Sequence, residues 1–312
     1  MSDNKWLIIV NPHAGAGKCG RDWPVIEKIL REELQPYELA FTSRRFHAMI
    51  ITRKKISEGF KKIVVVGGDG TLNEVINGLF AQKQFKTTDI TLGMIPVGTG
   101  NDWSRMFGIP FDYHEAVKTI RQGTTFIQDA GRVVFTKQDR KLGRYFVNIA
   151  GIGFDAIVTR RSNELKEQGR SSKVLYFMNI FAKLFGYKHF QASMSIDGMN
   201  YQHDIFSMNI GICKYSGGGM MQVPDAIADD GQFDLTIIKK MGKIEVLRSL
   251  PKLYNGQIKK HPRVQSFIGK NIVISSTRSV YLETDGESLG HTPLEFEIIP
   301  RSVRIITGKK SA

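Results

Sequence analysis

Short apolar runs ended by glycine-bearing polar turns dominate the first third of the chain, and helical repeats fill the intervals between them. Leu7 to Val10 is stopped by Asn11-Pro12, after which Ile26, Ile29, Leu30 and Leu34 recur at helical spacing. Tyr37 to Thr42 reads as a second strand, followed by a helix whose basic side carries Arg53, Lys54 and Lys55. Ile63 to Val66 is continuously β-branched, as a strand covered on both faces of a parallel sheet requires. It runs straight into Gly67-Gly68-Asp69-Gly70, and Leu72, Val75, Ile76 and Leu79 then share one helical stripe. A fourth strand, Leu92 to Ile95, ends at Pro96 and the loop Gly98-Thr99-Gly100-Asn101-Asp102. This alternation predicts a doubly wound, Rossmann-like α/β domain over residues 1–130.

After Asp129 the texture changes to shorter strands bounded by turn residues, among them Arg132–Phe135, Gln191–Asp197, Ile205–Gly211 and Asn271–Ser276. That pattern predicts an antiparallel β-sandwich domain over residues 131–299. Only Ser162–Phe185 and Lys243–Tyr254 read as long helices there. A last strand, Val303 to Thr307, can close either domain, which makes residues 300–312 candidates to rejoin the first. With no linker between the domains, the active site is expected in a cleft between them.

Charge narrows the partners. Of 312 residues, 44 are Lys or Arg and 30 Asp or Glu, a net charge of +14 that calls for something anionic. Cys19 and Cys213 stand far apart and form neither a disulfide framework nor a thiolate metal site, which fits a reducing cytoplasm. The start, MSDNKWLIIVNP, is neither a signal peptide nor a lipidation motif, and no apolar run approaches the roughly 20 residues that span a bilayer. The expectation is a cytoplasmic protein, at most peripherally membrane-associated.

Three polar glycine-bearing turns follow three expected strands: Asn11 to Lys18, Gly67 to Thr71, and Gly98 to Asp102. In an open parallel sheet the strands' C-terminal ends share one edge, so the turns are expected to converge there. Glycines let backbone N–H groups approach an anion, and a helix opening at Thr71 presents the positive end of its dipole, so phosphate is the natural occupant. An aspartate inside such a turn makes sense if a divalent cation lies between. Gly15-x-Gly17-x-x-Gly20 matches a dinucleotide fingerprint by letter, but the helix is expected to start near Pro24, beyond it. It is not a Walker loop either, because Pro12 and Cys19 stand where Gly and Ser or Thr are needed.

Taken together, NPHAGAGK, VVVGGDGTLNEVINGL, GMIPVGTGNDWSRMFGIP, YSGGGMMQVPDAIADDGQFDL and LETDGE resemble, in order and over nearly the whole chain, the diacylglycerol kinase catalytic-domain family, specifically the soluble bacterial lipid kinases. The resemblance implies ATP on the α/β domain, a β-sandwich lipid-substrate domain, and Mg2+-dependent phosphoryl transfer to a lipid hydroxyl. It assigns Asn11, Thr42, Gly67, Gly68, Asp69, Gly70, Thr71, Leu72, Asn73 and Thr99 to ATP. It further gives Asp69 to the catalytic magnesium, with Asp129 as a second carboxylate of that network, and makes Glu287 the general base. Ile227 and Gln232, through their carbonyls, and Asp230 would hold a structural divalent cation. Related enzymes often pair, so a homodimer is an expectation too.

Competing readings remain. An NAD kinase would share the Gly67–Thr71 turn and Asn73-Glu74 but phosphorylate a soluble ribose, and a dehydrogenase would use the glycine fingerprint. A basic nucleic-acid-binding protein would explain the charge but leaves three phosphate turns without purpose, and no nucleic-acid motif is present, so no nucleic-acid partner is expected. Asp285-Gly286 alone reads as a hairpin turn. Residues 173–190 mix aromatics with Lys173, Lys183 and Lys188, either as a helix packed on the sandwich or as a lipid entrance touching membrane. The charge excess is read as attraction to an anionic membrane surface.

Overall fold

The computed structural model describes residues 5–167 and 182–308. The chain divides into two compact units, Met1–Gln128 with Arg301–Ala312, and Asp129–Pro300.

In the first unit β1 (Trp6–Val10), β2 (Tyr37–Phe41), β3 (Lys62–Gly67) and β4 (Thr91–Pro96) form a parallel sheet in the order β2-β1-β3-β4. The end of β16 (Glu287–Ile306) adds a further parallel strand beside β4 through Arg304 and Ile305. Leu7 to Val10 and Ile63 to Val66 are all buried, so both sheet faces are covered and the runs carry no polar alternation. Each such buried Leu, Ile or Val contributes roughly 1.5–3 kcal/mol. One face packs on α1 (Lys18–Glu33) and α5 (Tyr113–Gln122), where Ile26, Leu30, Val117 and Ile120 join Ile8, Val10, Val64 and Val66. α2 (His47–Ser57) lies against α3 (Asp69–Ala81). Gly78 permits that approach, since a Cβ there would stand 2.6 Å from the Met49 carbonyl oxygen.

α1 begins at Lys18 with Pro24 inside it, which corrects the expected start near Pro24. The preceding turn explains this: its carbonyls accept the first amides of the helix, Lys18 onto Gly15 at 3.2 Å, Cys19 onto Ala14 at 3.1 Å and Gly20 onto Pro12 at 3.0 Å. The helix thus starts ahead of Pro24, which removes one N–H bond and crowds the Gly20 carbonyl.

The second unit is strand-rich and antiparallel. One layer runs β13 (Val264–Gly269), β12 (Phe233–Lys239), β9 (Met199–Gly211), β7 (Ile149–Gly153), β15 (Tyr281–Thr284), β16. The other runs β9, β8 (Phe190–Ile196), β14 (Asn271–Ser276), β16, β5 (Thr125–Lys137), β6 (Arg140–Phe146). The two long strands serve both layers: β9 pairs β8 through Met199–Ile205 and β7 through Ser207–Gly211, while β16 pairs first β15 and then β14. Between them Phe146 stacks on Phe233 at 5.8 Å, with Phe296 edge-on to both.

α6 (Phe154–Glu167) and α7 (Lys243–Tyr254) flank the sandwich, and Phe154 and Val158 join Val246 and Leu253 in a second apolar cluster. α6 starts eight residues before the expected Ser162, because Asp155 and the basic residues that follow mask its buried positions. Residues 168–181, with much of the stretch 173–190 weighed as a membrane contact, lie outside the described residues. Among those described, no helix is long and apolar enough to cross a membrane.

Candidate functional site

The three turns of the first unit meet. Val97 donates its N–H to the Gly67 carbonyl at 2.7 Å, Asn11 Nδ2 donates to Thr71 Oγ1 at 2.9 Å, and the Asn11 amide reaches the Val66 carbonyl at 3.0 Å. Gly68 and Gly98 touch through bare backbone: a Cβ on Gly98 would stand 2.9 Å from Gly68 Cα and 2.4 Å from Asn101 Oδ1. No side chain larger than hydrogen fits there.

At the start of α3, Thr71 and Leu72 donate to the Gly68 carbonyl, while the amides of Gly68 and Gly70 make no hydrogen bond among the described residues. Two open amides at a helix N-terminus form an anion cradle. At α1 every comparable amide is already taken by the turn's own carbonyls, with Gly17 donating to His13 at 3.1 Å. The Lys18 ammonium is equally occupied, held by Asp22 and the Tyr113 hydroxyl, which raise its pKa. The first amides of α1 are thus satisfied within the turn, while those of Gly15 and Ala16 make no hydrogen bond among the described residues.

Asp69 sits between α3 and α4 (Asp102–Met106), accepting the amides of Asp102 and Trp103, each at 3.3 Å. A Cβ on Gly100 would lie 3.4 Å from Asp69 Oδ2 and 3.2 Å from Asp102 Oδ2, so two carboxylates face the same glycine. Asp102 was not among the expected site residues. A carboxylate opening a helix inside a glycine turn was the signal available for it. An all-oxygen pair of this kind suits a hard cation such as Mg2+.

The other expected nucleotide residues separate by exposure. Thr99 is exposed and Asn11 half-buried, whereas Thr42 is buried, its amide on the Val10 carbonyl at 2.8 Å. Leu72 and Asn73 are buried in α3, and the Asn73 carbonyl accepts Asn77 Nδ2 at 2.8 Å. Glu74 caps α2, accepting the amides of Phe46 at 2.7 Å and Ala48 at 3.0 Å.

In the second unit Asp285-Gly286 is a two-residue hairpin turn with φ of 50° and 81°, pairing Thr284 with Glu287. Asp285 is buried and accepts the amides of Val147 at 3.1 Å and Asn148 at 3.0 Å, so it holds the fold. Glu287, two residues on, opens β16 and is half-buried. Glu283 accepts the Gly286 amide at 2.8 Å, and burial, reinforced by Asp155, Asp285 and Glu287, pushes its carboxyl well above the usual range.

Asp129 is fully buried and belongs to the Ile227–Gln232 loop: its amide donates to the Ala228 carbonyl and its Oδ2 accepts the Gly231 amide, both at 2.7 Å. Asp230 Oδ1 accepts the Gln232 amide at 3.0 Å, and Ile227 is exposed. Among the described residues no group of three or more His, Cys, Asp or Glu side chains could hold a metal. The loop can supply carbonyl oxygens with one carboxylate, a donor set that suits a hard divalent ion. Both cysteines are buried, and burial pushes the Cys19 thiol up to about 11.

The second unit also contains a pocket bounded by α6, α7 and β9, enclosing about 540 Å³ of empty space including its open mouth. Apolar side chains such as Phe154, Phe206, Ile238 and Leu253 line most of it.

Residues 5–133 match the family model described as the diacylglycerol kinase catalytic domain, and residues 148–307 match the YegS C-terminal NAD kinase beta sandwich-like domain. The chain is 30% identical over 311 residues to a protein named diacylglycerol kinase from Staphylococcus carnosus, covering 97% of this chain and 94% of that one. It is 29% identical over 316 residues to a Bacillus subtilis protein named "Putative lipid kinase YtlR", covering 97% and 99%. A crystal structure from Bacillus anthracis, described as that of a "putative diacylglycerol kinase", superimposes with a TM-score of 0.80 at 26% identity, covering 100% of this chain and 98% of the other.

Proposed function

The chain belongs to the diacylglycerol kinase family, and we propose that it transfers the γ-phosphate of ATP to the hydroxyl of a diacylglycerol-like lipid. The observation that carries this reading is the meeting of three turns in the first unit, where the open amides of Gly68 and Gly70 lie beside the carboxylates of Asp69 and Asp102. Phosphoryl transfer asks mainly for charge stabilisation and in-line positioning, and this arrangement supports the first.

The amides of Gly68 and Gly70 hold phosphate oxygens, with exposed Thr99 and Asn11 at the margin. Asp69 and Asp102 would hold magnesium, which when bound neutralises the β- and γ-phosphate oxygens. Asp230, with the carbonyls of Ile227 and Gln232, would hold the structural cation in the second unit, and Asp129 would serve the magnesium network as its second carboxylate. Glu287 accepts the proton of the lipid hydroxyl as the new P–O bond forms and the bond to the leaving ADP oxygen breaks. The pocket of the second unit takes the lipid's apolar portion. The net charge of +14 favours an anionic membrane surface, each nearby basic residue adding about 1 kcal/mol.

The test is γ-labelled ATP with magnesium, offered diacylglycerol in mixed micelles and, separately, NAD. Labelled lipid with little labelled NADP supports the reading, and loss of label in Asp69→Asn ties it to this site. Robust NADP formation without lipid product would replace it with an NAD kinase.

A further inference from the structure

The Asp285-Gly286 turn that leads into Glu287 is held by three separate elements. The Asp285 amide donates to the Ile149 carbonyl of β7 at 2.9 Å, and the Gly286 amide donates to Glu283 Oε2 of β15 at 2.8 Å. A two-residue hairpin turn bonds the carbonyl of its first residue to the amide of its fourth, here the pair Thr284 and Glu287, and leaves the carbonyls of its two central residues outside the ladder. At Gly286 that spare carbonyl is taken by the third element: Asn163 Nδ2, on α6 and 123 residues earlier in the chain, donates to it at 3.1 Å. α6 is itself seated against β7 and β15. A Cβ on Gly151 would stand 2.7 Å from Glu283 Oε1 and 3.2 Å from Asp155 Cβ, so bare backbone at Gly151 admits both, and the Arg160 guanidinium lies 4.9 Å from the centre of the Tyr281 ring. Asn163 follows about two helical turns after Asp155, roughly 12 Å along the axis, where it meets the turn.

We infer that Asn163 is a positioning residue that fixes where Glu287 stands. The oxygen it holds and the amide nitrogen of Glu287 belong to one peptide unit, a rigid plate that runs from Gly286 Cα to Glu287 Cα. The hairpin ladder holds this plate at its nitrogen end and Asn163 holds it at its oxygen end. Both ends matter because the plate hangs from Gly286, which has a φ of 81° and no Cβ, so its own backbone resists rotation less than any other residue would. A carbonyl only accepts, so the amide nitrogen of Asn163 faces it, and an ionised aspartate of the same shape could not take its place. Asn163 acts through the turn and not on the reacting atoms. A general base has to stand within hydrogen-bond reach of the proton it removes, so a shifted plate lowers turnover while leaving substrate affinity in place. The inference rests on the reading of Glu287 as general base and adds the residue that aims it.

The experiment is a double-substitution cycle on the full chain: wild type, Asn163→Leu, Glu287→Gln and the two together, each assayed with labelled ATP and diacylglycerol in mixed micelles. Asn163→Leu should lower kcat by about 10–10²-fold, the cost of misplacing a catalytic group by about an ångström, with the KM of both substrates within about twofold of wild type. In the Glu287→Gln background the same change should cost less than about twofold, because no base is left to misplace. Asn163→Asp, of the same shape but without an N–H to give when ionised, should reproduce the loss, and it replaces the leucine variant in the cycle if that variant does not fold. A purely structural role would lower kcat alike in both backgrounds. Equal losses in the two backgrounds, a change confined to KM, or wild-type kcat in Asn163→Leu overturns the inference while the base reading stands. Wild-type kcat in Glu287→Gln overturns both.

Discussion

Two glycine-rich turns of the first unit lead into helices, and their letters promise the same thing. The turn before α1 spends its carbonyls on the helix's first amides, Lys18, Cys19 and Gly20, whereas at α3 the amides of Gly68 and Gly70, at the cap and in the first turn of the helix, have no partners among the described residues. The second unit repeats the division within three residues: Asp285 is buried holding two amides, and Glu287 opens the next strand half-buried. What separates a binding turn from a structural one is where its polar groups already go, not its composition.

The widest break in that contrast is expected at the hairpin. Glu287→Gln should lower kcat by about 10²–10⁴-fold with the thermal midpoint little changed, measured by labelled lipid product and calorimetry on one preparation. Asp285→Ala should do the reverse, removing the acceptor of two buried amides and costing about 2–4 kcal/mol of unfolding free energy by denaturant titration. If Asp285→Ala were as stable as wild type, the division between these neighbours would fail.

Glu283 adds a pH dependence. Its folded pKa is raised above its unfolded value, chiefly by burial, so its contribution to stability is fully present below the unfolded carboxylate range of about 4.3 and is lost as pH rises through the folded value. Glu283→Gln keeps an acceptor for the Gly286 amide and removes the titration. Wild-type unfolding free energy should therefore fall against the variant's as pH is raised from about 4, and parallel curves would contradict it. The smallest effect is expected at α1: Lys18→Met should change the KM for ATP less than about threefold, because that ammonium is already held by Asp22 and Tyr113.

The sheet of the first unit was legible because Ile63 to Val66 and Leu7 to Val10 can be continuously apolar only if covered on both faces. α1 was misjudged at its start, since Pro24 is a strong breaker by letter and the carbonyls that satisfy the first turn come from a loop whose path is invisible in sequence. α6 was placed too late for a similar reason: Asp155 reads as a surface residue until the strand carrying Ser207 and Asn209 is brought against it. Gly67–Thr71 could be singled out by its glycines and aspartate. For Asp102 the sequence offers only a carboxylate opening a helix inside a glycine turn, because its pairing with Asp69 across Gly100 depends on two turns 33 residues apart in the chain.

Backbone hydrogen exchange with and without a non-hydrolysable ATP analogue and magnesium addresses the contrast between the two turns most directly. Protection should appear at residues 67–72 and 98–103 and be absent at residues 15–20. Protection at 15–20 with none at 67–72 would show that the nucleotide is held by the turn assigned here to the fold, and the account would be wrong.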